Sequence, residues 1–578
     1  MIRLLRLLKP YQLLLVAIIL LAVGQSVANL YLPTLMADIV NKGIATFDTN
    51  FIWATGVLMA LVAIGGTVCA VVGIYFSSQV AVGMTKTLRA EIFNKVQEFS
   101  LHEFDTVSTS SLITRTTNDT TQIQQVMVMV LNMLLTAPIT LVVGVILALQ
   151  QDVGLSWVLI AIMPILVTFI TVLLIRTVPL FTVMQVKLDK LNLILDENLT
   201  GVRVVRAFNR IQHEEARFDT ANHDVTGVAI KVNQLMASMM PMMMLLINLS
   251  SVAIIWFGSI RVTGHHLDIG SMFAFLQYAF QILFSLLMVA IVFVMIPRAE
   301  ASAKRINQVL DMQPEIDDPK KARKATGKKG YVEFENVTFS YHGAEKPALT
   351  DISFQANPGA VTAIIGGTGS GKSTLVNLIP RFYDTKKGRV LVDGVDVREI
   401  SQRELRGKIG FVPQKAILFA GTINDNIRYG KEDATDKEIR HAALVAQATE
   451  FIDAMPEKFN SPIAQGGTNV SGGQMQRLSI ARALVRKPEI YVFDDTFSAL
   501  DFKTDARLRA ALKGETRDAT VLIVAQRVST VMEADQIIVL EDGAIAGIGT
   551  HKELMKTCEV YRGIVSSQLS AAEIAEET

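Results

Sequence analysis

The stretch VTAIIGGTGSGKSTLV, residues 361–376, decides how the second half of this chain folds. An apolar run ends in glycine and passes through G-x-x-x-x-G-K-S into residues suited to a helix. Gly366, Gly367, Gly369 and Gly371 let backbone N–H groups close on phosphate oxygens, and a helix N-terminus adds its positive dipole. Thr368, Ser370 and Thr374 complete the loop. In such a loop Lys372 reaches the β- and γ-phosphates and the Ser373 hydroxyl takes a Mg²⁺ ion. The strand–loop–helix context predicts an α/β P-loop nucleotide-binding domain.

Working outward, YVFDDTFSALD (Tyr491–Asp501) reads as a buried strand that ends in two carboxylates, Asp494 and Asp495. Asp494 closes the apolar run and is the natural second holder of Mg²⁺. Upstream, YVEFENVTFSY (Tyr331–Tyr341) alternates with period two, as a half-buried strand does. Short apolar runs then alternate with helical ones to about residue 565, so the nucleotide domain is placed at 331–565. Residues 566–578 read as a polar tail. Residues 311–330, with Lys320, Lys321, Arg323 and Lys324, read as a solvated linker.

The first 310 residues have another character. Half of the 578-residue chain is hydrophobic, and the mean hydropathy is +0.37. Residues 11–37, 53–80, 126–150, 155–178, 235–262 and 270–297 carry few or no charges. Each run matches or exceeds the ~20 residues that cross a bilayer as a helix. Residues 1–310 are therefore read as an all-α membrane domain of six spans. Arg3, Arg6 and Lys9 set the N-terminus in the cytoplasm, and no A-x-A-like cleavage site follows the first run. Six spans return the chain to the same side, so the nucleotide domain is cytoplasmic as well. The connections 83–122 and 179–231 are long and charged, so the helices are expected to run on beyond the lipid. A net charge of +1 gives no support for a nucleic-acid partner. Cys69 and Cys558 are too few for a disulfide framework.

NVSGGQMQRLSIARAL (Asn469–Leu484) precedes the acid strand and resembles the signature of ATP-binding cassette (ABC) proteins. Tyr341, Gln414 in FVPQ and Asp501 in SALD fall in that family's order. Six spans ahead of one nucleotide domain resemble an ABC exporter half-transporter, in a multi-pass bacterial-type inner membrane. The chain closely resembles the degenerate-site subunit of heterodimeric bacterial multidrug exporters. The resemblance implies that Tyr341 stacks on adenine and that Gln414 senses Mg²⁺ and the γ-phosphate. It implies that Ser471, Gly472, Gly473 and Gln474 cap the ATP of a partner chain, with Asp501 in the adjoining loop. Loops around 103–111 and 208–215 would couple ATP to movement.

Three departures stand against that pattern. Asp495 occupies the position where hydrolysing members carry Glu, Gln526 that of the switch His, and Ala464-Gln465 that of a usual Gly-Glu. A carboxylate one bond shorter withdraws by up to ~1.5 Å, and a misplacement of ~1 Å costs on the order of 10²-fold. Gln526 can hydrogen-bond a phosphate but cannot carry a proton. The chain is therefore expected to bind ATP and hydrolyse it poorly, and to serve a partner half-transporter that brings the Glu and His. The alternatives are a slow homodimeric exporter or lipid flippase, or a subunit that ATP gates or regulates. Met240 and Met243, in a methionine-rich run, with Gln277 and Gln281, four apart, are candidates for the path of a small amphipathic substrate.

Overall fold

The structure, a computed structural model, describes residues 2–324 and 329–569. Two compact units form, Met1–Gln97 with Ser108–Met312, and Glu98–Val107 with Gln313–Thr578.

In the first unit, six helices are long and apolar enough to cross a membrane: α1 (Arg3–Ile44), α2 (Thr49–Gln97), α3 (Thr109–Gln151), α4 (Val153–Thr200), α5 (Ile211–Thr263) and α6 (Ile269–Asp311). Lengths of 42 to 53 residues, at 1.5 Å per residue, give roughly 60–80 Å, about twice a ~30 Å hydrocarbon core. Large apolar side chains such as Leu20, Ile64, Val252 and Trp256 are more than 60% exposed. That inverts the rule for a water-soluble surface and suits a lipid solvent. Between the helices, Leu30, Leu155, Ile254 and Tyr278 form one buried cluster, and Leu166, Met243, Ile247 and Leu283 another. Two segments of α3, Arg115–Asp119 and Val130–Leu134, are π-helical, widening the helix where the backbone pattern slips.

The second unit holds the strands β1 (Val332–Phe339), β2 (Leu349–Ala356), β3 (Val361–Gly366), β4 (Lys387–Val392), β5 (Val395–Asp396), β6 (Ile409–Val412), β7 (Gly421–Thr422), β8 (Pro462–Ile463), β9 (Ile490–Asp494), β10 (Thr520–Val524), β11 (Gln536–Glu541) and β12 (Ala544–Gly549). One sheet runs β12-β11-β3-β10-β9-β6, and its five strands from β11 to β6 are parallel. β9 and β10 are buried at every position, as strands covered on both faces must be. Their unbroken apolar sequences follow from that. A smaller antiparallel sheet, β2-β1-β4-β5, accompanies it.

The two units divide the chain differently from the boundaries read in the sequence. The short helix Leu101–Val107 groups with the nucleotide-binding unit and not with residues 1–310. There the Glu103 Oε1 accepts the Glu315 N–H at 3.1 Å, and the His102 and His342 rings lie 4.7 Å apart. At the other end a helix runs Glu559–Gln568, three residues into the stretch read as tail. Linker residues 325–328 and tail residues 570–578 lie outside the described residues.

Candidate functional site

Parallel strands bring their carboxyl ends to one edge, and ligands of α/β sheets gather there. β3 leads into the glycine loop and the helix α7 (Lys372–Asn377), β6 leads to Gln414, β9 ends in Asp494 and Asp495, and β10 leads to Gln526. A cavity of about 300 Å³ lies among them, lined by Tyr341, Lys372, Ser373, Gln414, Asp495 and Gln526 together with Thr368, Gly369, Gly371 and Thr374.

Backbone geometry explains the glycines. Gly371 has φ +96°, and a Cβ there would stand 2.9 Å from the Ala348 carbonyl oxygen. A Cβ on Gly366 would run into the Leu540 carbonyl, whereas Gly369, φ +83°, faces open space. The loop is thus a cradle that only glycine can make. Inside it the Ser370 Oγ is buried without a hydrogen-bond partner among the described residues. Lys372 Nζ donates to the carbonyls of Gly366 (2.9 Å) and Gly367 (2.7 Å). Burial lowers the ammonium pKa, against the pull of Asp495 and Asp494. These groups suit a polyphosphate. The Ser373 hydroxyl donates to Asp494 Oδ1 at 2.8 Å, so two hard oxygen donors stand side by side, which is the chemistry Mg²⁺ takes. Burial raises the Asp494 pKa, the Ser373 bond opposes it, Asp495 adds to it and Lys372 opposes it.

Tyr341 is 40% exposed, with its hydroxyl 3.0 Å from Thr374 Oγ1. Phe339 and Tyr383 meet it edge-on, which leaves ring surface for stacking. Burial, with Tyr341 and Asp105 adding to it, pushes the Tyr383 phenol up to about 12.

Asp495 is 7% exposed, and its backbone takes a left-handed φ of +46°. Its N–H donates to the Val524 carbonyl at 3.0 Å, and its carbonyl accepts from Ser498 Oγ at 2.8 Å. The side chain is equally fixed. Oδ2 accepts Gln414 Nε2 at 3.1 Å and Gln526 Nε2 at 2.7 Å. Both neighbours are carboxamides, which hold a carboxylate in place but neither take nor relay its proton.

Ser471 caps the helix α8 (Gly472–Val485), accepting the Gln474 N–H while Gln474 Oε1 accepts the Ser471 N–H. Ser471, Gly472, Gly473 and Gln474 do not line the cavity above; the first two are exposed at a helix N-terminus that favours anions. Asp501 caps the helix Phe502–Glu515 through the Thr504 N–H at 2.9 Å. The Ala464 N–H is held by Asn469 Oδ1 at 2.9 Å, and a tight turn with Gly466 at φ +72° follows.

Two supports were not legible as functional. Gln568 Oε1 accepts the Val528 N–H and its Nε2 donates to the Gln526 carbonyl, both at 2.8 Å. This side chain, assigned in the sequence to a polar tail, braces the backbone at Gln526 and Val528. Asn469 braces the turn ahead of the signature, with its Nδ2 on the Pro462 carbonyl at 2.8 Å.

A second cavity, about 650 Å³, lies in the membrane unit and includes Gln277 and Gln281. Met240 and Met243 do not line it. Met243 is 1% exposed within the core of Leu166, Leu173 and Leu283, and Met240 lies on the exposed side of α5. The methionines that do line it are Met36, Met59, Met133 and Met288. The spacing within α5 placed its methionines on faces, but not against neighbours, and here the neighbours are core residues.

Comparison with known proteins agrees with both units. A family model described as ABC transporter transmembrane region matches residues 15–287, and one described as ABC transporter matches residues 349–498. An uncharacterized ABC transporter ATP-binding protein of Mycobacterium tuberculosis is 42% identical over 570 residues, 98% of each chain. A putative multidrug export ATP-binding/permease protein of Bacillus subtilis is 32% identical, covering 97% of this chain and 98% of its own. A solved bacterial Atm1-family ABC exporter with ATP bound superposes with a TM-score of 0.81 at 26% identity, over 98% of this chain and 99% of that one.

Proposed function

We propose that this chain, which belongs to the ABC transporter family as a membrane exporter with a fused cytoplasmic ATP-binding domain, holds ATP at its own site and rarely hydrolyses it. The observation that carries the reading is the bracket around Asp495, one carboxylate oxygen accepting two carboxamide donors. A general base must lie within about 2.6–3.2 Å of the proton it takes. Here the shorter side chain lines the cavity but is held there by two amides, and its helper cannot accept a proton.

The binding groups are kept. Lys372 and the glycine loop take the phosphates, Ser373 and Asp494 with Gln414 take Mg²⁺, and Tyr341 takes the adenine. The intact Ser471–Gln474 cap serves the ATP of a second half-transporter. That partner supplies the catalytic Glu and His, so the working unit is a heterodimer with unequal sites. ATP closes the pair, hydrolysis at the partner's site reopens it, and an amphipathic compound moves out across the bilayer.

The test is a pair of substitutions in the assembled transporter. Asp495→Asn should leave most turnover intact, whereas Gln at the partner's catalytic Glu should stop it. Equal arrest by both substitutions would mean equal sites. A homodimer is the second reading, and the stoichiometry and ATPase of the chain expressed alone separate the two.

A further inference from the structure

The membrane cavity has a chemical character that goes beyond export in general. Among the described residues no charged side chain lines it. Amides and hydroxyls enter from three helices: Gln25 and Asn29 on α1, Thr136 and Thr140 on α3, Gln277 and Gln281 on α6. Besides the hydroxyls of Ser26 and Ser285 the remainder is apolar, mostly thioether and phenyl surface with Leu32, Pro33 and Ala137, and Phe280 and Phe284 are stacked at 5.9 Å and 12° between planes.

The backbone contributes as well. Pro33 lies in α1 and has no N–H, so the carbonyl four residues before it loses its helical donor. That carbonyl belongs to Asn29, and it accepts Gln281 Nε2 at 3.3 Å. Thr140 Oγ1 donates to Ser26 Oγ at 3.2 Å. In the π-helical segment Val130–Leu134 Met133 lines the cavity, and the Asn132 and Thr136 side chains donate to the Val128 and Asn132 carbonyls. Such segments cluster at functional sites. Against these satisfied groups, the side-chain amides of Gln25, Asn29 and Gln277 make no hydrogen bond among the described residues. They are donors and acceptors in hand on helices long and apolar enough to span a membrane.

We infer that this cavity binds an electroneutral, drug-sized amphiphile. Its uncharged hydroxyl or amide head meets the Gln25, Asn29 and Gln277 amides, and its aromatic or alkyl body lies on the Phe280–Phe284 stack and the methionines. The volume suits one drug-sized molecule. Flexible thioethers let the apolar wall adapt to different bodies, while the amides fix the head. A cation or phosphate would give up its hydration for a wall with no counter-charge, so either sign is rejected. This deepens the export reading and rests on it, but it is independent of how the ATP sites share the work.

The experiment uses the full chain in lipid nanodiscs without nucleotide and three photoreactive probes. The probes share a benzophenone-bearing alkyl chain and differ only in head: glucoside, trimethylammonium or phosphate. Mapping of labelled peptides should find the glucoside on segments 25–36, 133–140 and 277–288 at least about tenfold above either charged probe. Gln277→Leu with Gln25→Leu should cut that labelling several-fold. Gln277→Lys should transfer preference to the phosphate probe, with retained ATP binding reporting a folded chain. Equal labelling by all three heads in the wild type overturns the proposal. So does equal labelling of the same segments by a photoreactive phosphatidylcholine, whose charged head the proposal excludes and which would assign the cavity to bulk membrane lipid. Labelling needs no ATP turnover, so its failure leaves unequal ATP sites standing, and equal ATP sites leave the labelling result standing.

Discussion

On the proposed reading, replacing Asp495 by Glu and Gln526 by His should switch on hydrolysis at this site. In the structure, Asp495 Oδ2 is bonded at 3.1 and 2.7 Å by two amides from a backbone fixed at φ +46°. One added C–C bond carries the carboxylate up to ~1.5 Å further into the cavity that Asp495 already lines. A reach error of ~1 Å is worth on the order of 10²-fold, and a positioned base contributes roughly 10²–10⁴. The His at 526 acts on the same transition state, so the two gains overlap. The double variant should therefore exceed the wild type by roughly 10²–10⁴, with Asp495→Glu alone giving the larger share. The assay is single-turnover phosphate release from the assembled transporter in nanodiscs with Mg-ATP, the partner's catalytic Glu replaced by Gln to silence its site and Lys372→Ala as background. A wild type as fast as the double variant would refute the reasoning, and so would a double variant that stays at background while binding ATP normally.

Other outcomes follow from particular contacts. Lys372→Ala, which removes the cation now held on the Gly366 and Gly367 carbonyls, should weaken ATP binding about 10- to 100-fold, measured with a fluorescent ATP analogue. Gln568→Ala should lose two bonds of about 0.5–1.5 kcal/mol each and raise hydrogen exchange at the Val528 amide roughly tenfold or more; unchanged protection would remove Gln568 from the switch. Burial pushes the Glu103 carboxyl up, but donors from Ser100 and the Glu315 N–H outweigh it and hold the pKa below the ordinary range. A lowered acid stabilises fully above its unfolded value, about 4.3, and the gain fades as pH falls through the folded value. Glu315 amide protection should thus be flat from pH 7 to 5, corrected for intrinsic exchange, and weaken in stronger acid. Glu103→Gln should remove that pH dependence.

The parts of the site that the sequence made legible are those that lie in contiguous motifs. Gly366 to Thr374 and the acid strand each carry their own context, a strand before and a helix or turn after. Gln277 and Gln281 were legible because four residues make one helical turn, which puts both on one face. What brings Gln281 to the Asn29 carbonyl is a proline 248 positions earlier in the chain, at Pro33, and no local pattern links the two. The α5 methionines misled because periodicity assigns a face without saying what packs on it. Gln568 lay beyond the last apolar run, and its role depends on meeting the backbone at Gln526 and Val528. Likewise Leu101–Val107 lies between two spans in sequence, yet Glu103 and His102 bind residues of the second unit.

The central claim is that this half-site keeps ATP intact, and the most direct measurement is the fate of the bound nucleotide. The assembled transporter in nanodiscs, with the partner's own P-loop Lys replaced so that only this chain's site binds nucleotide, is loaded with α-labelled Mg-ATP, freed of excess nucleotide, and quenched at intervals. The account predicts that the label held by the chain is recovered as ATP over many minutes and that Asp495→Glu with Gln526→His converts it to ADP. Recovery of mostly ADP from the wild type within seconds would contradict it.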